Sequence, residues 1–447
     1  MIGILLLVIA ILLYIEGKKV WSIFIFLSFV GGIGGFCLWV DTITGVKNED
    51  LGFIYVVIIN IYSYFYEKEK YAESHEMRNL ILFFLIFMVC SIAVSFFYYE
   101  MTPIELVQGS RQIFYFTSYF FVRKLRKSEI KKIIYFVFMI TLATSLPYIW
   151  QSLTGIEVLP NSTRYHSGDS ITFLNRYYNS PPFLDLCILL VLLCNKEWGK
   201  KSYITMPILG LALLCTQGRT LILFVALFAI IGLWMQGNIK GQFKYILFVS
   251  LAFLLIGNVI IDRFEGQKST SSDIRGFVQG DFVDIVDENG DGSTMSFRFA
   301  WCLERMYYLA DRPVIENIFG LSLLSEQQPR LKKMYKFHIG NFNKETMSIA
   351  QLSTPDIAYG NMLTRFGYGG SILFLSLWVC MLKILHKSLR KNSFAFVGYI
   401  YILLMLFVSL AGRGIFNTGN MVIPFLFITY YLKDQEIKKI YAKYKVS

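Results

Sequence analysis

Three clusters of polar residues interrupt an otherwise apolar chain, and each has residue types suited to an anionic ligand. Thr216-Gln-Gly-Arg219 places a guanidinium at the start of an apolar run. There its fork of donors, together with the free amides of a helix N-terminus, suits a phosphate or diphosphate, although an interfacial anchor is an equal reading. Ser296-Phe-Arg298-Phe-Ala-Trp301 is followed by Arg305, Pro313 and Phe319-Gly320. Arg298, Trp301 and Arg305 share one helical face, where arginine either stacks on tryptophan and reaches a ligand or closes an ion pair with Glu304 or Asp311. The third cluster is Asp356-Ile-Ala-Tyr-Gly-Asn-Met-Leu-Thr-Arg-Phe-Gly367-Tyr-Gly-Gly370. Arg111 and Asp185 stand inside apolar runs, where a charge either lines a hydrated cavity or pairs with another helix. Asp287-Glu-Asn-Gly-Asp-Gly292 opens like a calcium loop, but its twelfth position is Arg298 and not the required glutamate, so it reads as an acidic turn. No histidine pair has metal-ligand spacing and there is no glycine-rich nucleotide loop, so neither metal nor cofactor is expected.

The elements that must carry these residues are membrane helices. Of 447 residues, 55% are hydrophobic and only 17% charged, and the mean hydropathy is +0.51. A soluble core cannot hide that much apolar surface, which excludes soluble enzymes, disordered scaffolds and nucleic-acid binders. The cysteines offer no disulfide framework, since all but Cys302 fall in apolar runs. Apolar runs at 2–15, 20–40, 51–66, 79–99, 104–122, 133–150, 181–194, 203–216, 219–235, 243–261, 366–385, 394–411 and 415–432 predict an all-α polytopic membrane protein of about 12–13 transmembrane helices. The first run lacks a basic lead and a small-residue cleavage site, so it reads as a retained helix. Three parts follow: a bundle of about ten helices over 1–261, a large external loop over 262–365 that folds as short helices and carries recognition or catalysis, and C-terminal helices with a basic tail over 366–447.

Lysine and arginine crowd alternate connectors: 18–19, 68–78, 123–132, 196–201, 240–244, 383–391 and 433–445. The positive-inside rule puts these in the cytoplasm, leaving the N-terminus outside and the C-terminus inside. The net charge of +12 then reflects orientation and attraction to anionic lipid, not nucleic-acid binding. No internal repeat suggests the inverted symmetry of a secondary transporter.

In order and context, the three clusters over roughly residues 140–435 resemble the Wzy/O-antigen-ligase superfamily of bacterial polysaccharide polymerases and ligases. Members have a small-residue-plus-Arg motif opening a helix, then an Arg followed by Trp, Pro and Gly in a late external loop, then a glycine-rich re-entry helix preceded by a polar residue, often His-Asn. Asp356 stands eleven residues before Gly367 in that last slot, and the absence of His-Asn favours the polymerase branch over the ligase branch. The resemblance implies a multi-pass protein of the bacterial cytoplasmic (inner) membrane. It implies transfer of glycan from an undecaprenyl-diphosphate-linked oligosaccharide to an acceptor sugar on the outer face, beside a flippase and a chain-length regulator of the same pathway as partners. Such a reaction needs cations around the diphosphate and a base at the attacking hydroxyl. Arg219 and Arg298 fit the first role. Arg413, in Ala411-Gly-Arg-Gly414, either joins them or anchors its loop, while Asp356, ahead of His338, fits the second role. Ligation of a finished glycan is the nearest alternative, and transport of lipid-linked sugars is the alternative of another class.

Overall fold

The computed structural model describes residues 2–30, 47–67, 73–159, 174–177, 180–194, 202–237, 295–321, 357–388 and 393–446, with isolated positions between 323 and 352. Apart from a two-residue antiparallel pairing of Phe342–Asn343 with Ser348–Ile349 and a bridge at Tyr177, what is described is helix and connecting turns. His75–Phe97, Lys127–Thr154 and Ala358–His386 are long and apolar enough to cross a membrane. Shorter apolar helices, Ile2–Ile15, Lys19–Val30, Leu184–Leu193, Ser202–Cys215 and Ser393–Val408 among them, pack around these. In His75–Phe97 the inward face carries Met77, Ile81, Phe84 and Met88 but also Ser91 and Ser95. The outward face exposes Phe83, Ile86 and Val89, each more than 60% open. A face this apolar turned away from the protein suits contact with lipid.

Contacts between helix ends sort by charge. Lys19 and Lys124 pair with Glu67, Arg123 with Glu73, Lys127 with Asp434 and Lys383 with Glu76, so these basic connectors are linked by ion pairs at one end, while those at 196–201 and 240–244 lie outside the described residues. Burial of Glu67 opposes its charge, but the hydrogen bond and charge of Lys19 and the charge of Lys124 outweigh it and hold the carboxyl below its ordinary value. Lys124 also donates to the carbonyls of Ser63 and Glu67, closing the end of the Asn48–Tyr66 helix. At the opposite end Arg111 pairs with Asp50, Thr418 donates to the Val30 carbonyl, and the Ala358 amide donates to the Ser409 carbonyl.

Three spans differ from the sequence expectation. The run at 104–122 is not one helix but Pro103–Ser110, a 3-10 turn over Ile113–Ser118, and Tyr119–Val122. The break falls at Arg111-Gln112, whose side chains leave the helix axis for Asp50 and Glu49. Bonding these polar groups outweighs helix continuity in a buried position. The run at 366–385 begins eight residues early, at Ala358, and crosses a non-helical Gly367. The last helix, Thr418–Val446, continues into the expected tail. Within 262–365, Met295–Ala310 and Val314–Phe319 are short helices. The expected span 243–261 and residues 262–294, with the calcium-like turn, lie outside the described residues.

The end sorting yields a labelling experiment. Single cysteines at Glu157 and Lys387, both exposed, are expected to differ: an impermeant thiol reagent applied to intact cells modifies position 157 and spares 387. The reverse pattern overturns the orientation drawn from the charge alternation.

Candidate functional site

Where the helix ends of the less basic side converge, they enclose a cavity of about 430 Å³ with a mixed polar and apolar wall. Arg365, Arg413, Glu49 and Asp185 border it, with Gln112, Asn361, Asn417, Asn420, Ser180 and Thr216 between them.

Each side chain is held by identifiable local chemistry. Arg365 and Asn361 sit one helical turn apart, two residues and six residues ahead of Gly367, and so face the same way. Gly367 has φ 62 and ψ −166, a region open essentially only to glycine. In a regular helix the Thr364 carbonyl accepts from the amide four residues on. Beside the break at Gly367 it accepts from the Leu321 amide at 2.7 Å, so the chain after Val314–Phe319 is bonded to the helix where the helix is interrupted. Arg413 sits in the turn after Ser393–Val408. That turn is shaped by Ser409, whose hydroxyl accepts from the Ile415 amide and donates to the Met405 carbonyl. A Cβ on Gly414 would lie 2.5 Å from that same carbonyl, so only glycine fits there. The two arginine-bearing segments are tied together by rings: Phe366 stacks on Phe416 with centroids 6.0 Å apart, and Phe374 stacks on the same ring at 5.1 Å.

Asp185 lies in the first turn of Leu184–Leu193, and its carboxylate accepts from the Leu186 amide. The helix is launched by Phe183 in a left-handed conformation (φ 52), after Pro181-Pro182, with the Pro182 carbonyl tied to the Thr141 hydroxyl. Glu49 accepts from the side chain of Gln112 at 3.1 Å, while the Glu49 carbonyl accepts from Tyr115. Thr216-Gln-Gly-Arg219 folds as a turn in which the Thr216 hydroxyl caps the Gly218 amide, Gln217 is left-handed, and a helix starts at Arg219. Thr216 and Leu221 border the cavity, so the first turn of this helix, rich in unsatisfied amides, faces it.

Of the residues singled out in the sequence, Asp185 and Arg413 line the cavity, and Arg219 opens a helix on its border. Arg111 is next to the lining residue Gln112 and is committed to Asp50. The second cluster serves another purpose. Trp301 is fully buried against Gly360, where a Cβ would come within 2.2 Å of its ring. Arg305, with no exposure, lies between Trp301 and Phe337 at 4.1 Å from each ring and pairs with Glu304, whose carboxylate also accepts from the Ile339 amide. This assembly clamps Phe337 and Ile339 onto the Met295–Ala310 helix, the structural alternative for Trp301 and Arg305. Arg298 is half-buried on the same helix and is not among the cavity's lining residues. Asp356 and His338 lie outside the described residues.

Sequence reasoning passes over Arg365, Asn361, Glu49 and Asn417 and Asn420 at the start of the last helix. Arg365 has a visible signal, a charge two residues before a glycine at the mouth of an apolar run. Glu49 looks like an ordinary span-edge carboxylate. Among the described residues no group of histidines, cysteines and carboxylates is arranged to hold a metal ion. Comparison with known protein families and with curated proteins finds no match to this chain.

Removing Arg305 leaves Glu304 half-buried without its cation and empties the slot between two aromatic rings. Arg305→Ala is expected to cost about 3–5 kcal/mol, and Arg305→Lys to recover only part, because the planar stack is lost. Thermal unfolding in detergent measures both. Equal melting temperatures for Arg305→Ala and wild type would show that the clamp contributes nothing to stability.

Proposed function

We propose that this chain is a membrane polysaccharide polymerase of the Wzy/O-antigen-ligase type, joining oligosaccharide units carried on undecaprenyl diphosphate at the outer face of the bacterial cytoplasmic membrane. The observation that carries this reading is the cavity in which arginines and carboxylates from distant parts of the chain converge. It lies at the end opposite the basic connectors, where a lipid-linked donor and its acceptor would meet.

In the proposed reaction the acceptor hydroxyl attacks the anomeric carbon of the donor sugar. The new glycosidic bond forms as the bond from that carbon to the diphosphate oxygen breaks, and undecaprenyl diphosphate leaves with the electron pair. The hydroxyl proton passes to a carboxylate base. Arginines suit the departing diphosphate because their forked donors match its oxygens, and the helix start at Arg219 adds amide dipoles of the favourable sign. Arg413 and Arg219 take this role, whereas Arg298 is assigned no contact with the diphosphate. The base is Asp356, by its resemblance to the family's polar slot. Asp185 is the carboxylate in the cavity that would take its place.

Turnover of purified lipid-linked repeat units tests the roles. A charge-assisted contact is worth roughly 1.5–3 kcal/mol, so Arg413→Ala should lose at least about tenfold and Arg413→Lys should recover only partly. Asp356→Asn should abolish polymerisation at matched folding, whereas His338→Ala should not. Full activity in Asp356→Asn with loss in Asp185→Asn moves the base into the cavity. Long polymer made normally by Arg413→Ala sinks the reading. Accumulation of finished polymer on the carrier in a deletion strain, with chain length unchanged, assigns ligation instead.

A further inference from the structure

Gly320 and Leu323 each lie at backbone distance from a neighbouring helix. On one side a Cβ on Gly109 would sit 2.1 Å from the Leu323 carbonyl oxygen. On the other, a Cβ on Gly320 would sit 2.5 Å from the Gly367 amide and 2.7 Å from the Arg365 carbonyl carbon. A Cβ on Gly367 would in turn meet the Gly320 amide at 2.5 Å. Backbone groups of Gly320 and Leu321 are bonded as well. The Gly320 carbonyl accepts from Tyr99 at 2.9 Å and the Leu321 carbonyl from Tyr335 at 2.6 Å, while the Leu321 amide donates to the Thr364 carbonyl. Burial raises the Tyr335 hydroxyl above its ordinary range, so it stays a donor. Glu316, in the helix leading in, accepts from Tyr98.

We propose that this clasp is a positioning element: Gly320, Leu321 and Leu323, held between Gly109 and the break at Gly367, set the direction of the Asn361–Arg365 turn into the cavity. Arg365 borders the cavity and lies within the interrupted turn, so its direction depends on the backbone at 364–367. That backbone is interrupted at Gly367 and is tied to the Leu321 amide through the Thr364 carbonyl. The clasp tolerates no side chain at its three glycines, so small changes there are transmitted as backbone shifts and not absorbed by rotamers. The loop and the cationic wall of the cavity are thus built together. That Arg365 meets an anionic, phosphate-bearing ligand rests on the proposed function. The coupling of Gly109 and Gly320 to Arg365 does not.

Two measurements separate these. In the first, without ligand, the modification rate of Arg365→Cys by a charged thiol reagent is read at that peptide by mass spectrometry, with and without Gly109→Ala. A change of about fivefold or more is expected in protein that still purifies as a folded species, with a lowered melting temperature. An unchanged rate overturns the clasp. In the second, undecaprenyl diphosphate binding to the full chain in nanodiscs is followed through a double-mutant cycle, with undecaprenol and inorganic pyrophosphate as controls. Gly109→Ala and Arg365→Ala should each weaken undecaprenyl diphosphate about tenfold, and the double variant no further. Factors that multiply in the double variant mean that the segment does not act through Arg365 and overturn the proposal. Altered labelling in a protein whose wild type binds none of the three probes leaves the clasp standing and removes the functional reading instead. Should Gly109→Ala fail to fold, Tyr335→Phe, which removes one hydrogen bond to the segment and adds no bulk, replaces it in both arms.

Discussion

A single backbone carbonyl, that of Thr364, sets the terms for the less basic end of this protein. In an apolar surrounding an unbonded carbonyl is costly, and the helix departs from helical geometry at Gly367, within one turn of Thr364. The Leu321 amide supplies a donor from 43 residues upstream, at 2.7 Å. For that bond to form, the loop must approach a membrane helix at main-chain distance, and the glycines at 109, 320 and 367 make the approach possible. Polar satisfaction and packing are therefore one requirement. Either alone would leave a strained helix beside an unanchored loop.

From this crossing the order of the site propagates through rings. Phe366 follows Arg365 directly and stacks on Phe416, three residues after Arg413, so the two arginines stand on segments that share one aromatic stack. Trp301 fills the space above Gly360 on the same helix, and Arg305 is held over the Trp301 ring. A buried guanidinium is an expensive packing element, since desolvating it is costly. It is tolerated because Glu304 pairs with it, two aromatic faces cover it, and the Glu304 carboxylate is satisfied a second time by the Ile339 amide.

How far these features can be read from the chain depends on what kind of signal each leaves. The runs at 2–15 and 203–216 are short for a span, yet their apolar limits mark the helices, and the observed Ile2–Ile15 and Ser202–Cys215 agree within a residue. The alternation of basic connectors reappears as ion pairs gathered at one end. The broken element at 103–122 is hidden because hydropathy counts Arg111 as one penalty within an apolar run and cannot see Asp50 waiting 61 residues upstream. The Trp301 and Arg305 face is legible as a face, but whether it meets ligand or protein depends on Gly360, a residue whose only signal is the absence of a side chain. Arg365 escapes notice for a similar reason. Its importance comes from a neighbouring glycine out of helical geometry, and the glycines of that stretch read equally well as helix-packing residues.

The cavity itself balances two guanidinium groups against two carboxylates, Arg365 and Arg413 with Glu49 and Asp185. The arginines come from segments joined by the Phe366–Phe416 stack. The carboxylates come from elsewhere, Glu49 beside Gln112 and Asp185 from the turn launched by Phe183. A small simple anion would gain from the first pair and be repelled by the second. A ligand with an anionic part and a hydroxyl-bearing part, separated by a few bonds, gains from both, since carboxylates accept from hydroxyls as readily as guanidinium groups donate to phosphate oxygens. A glycan joined to a diphosphate has that division of charge. On the proposed reaction the arginines would meet the diphosphate, and Glu49 and Asp185 would accept from sugar hydroxyls.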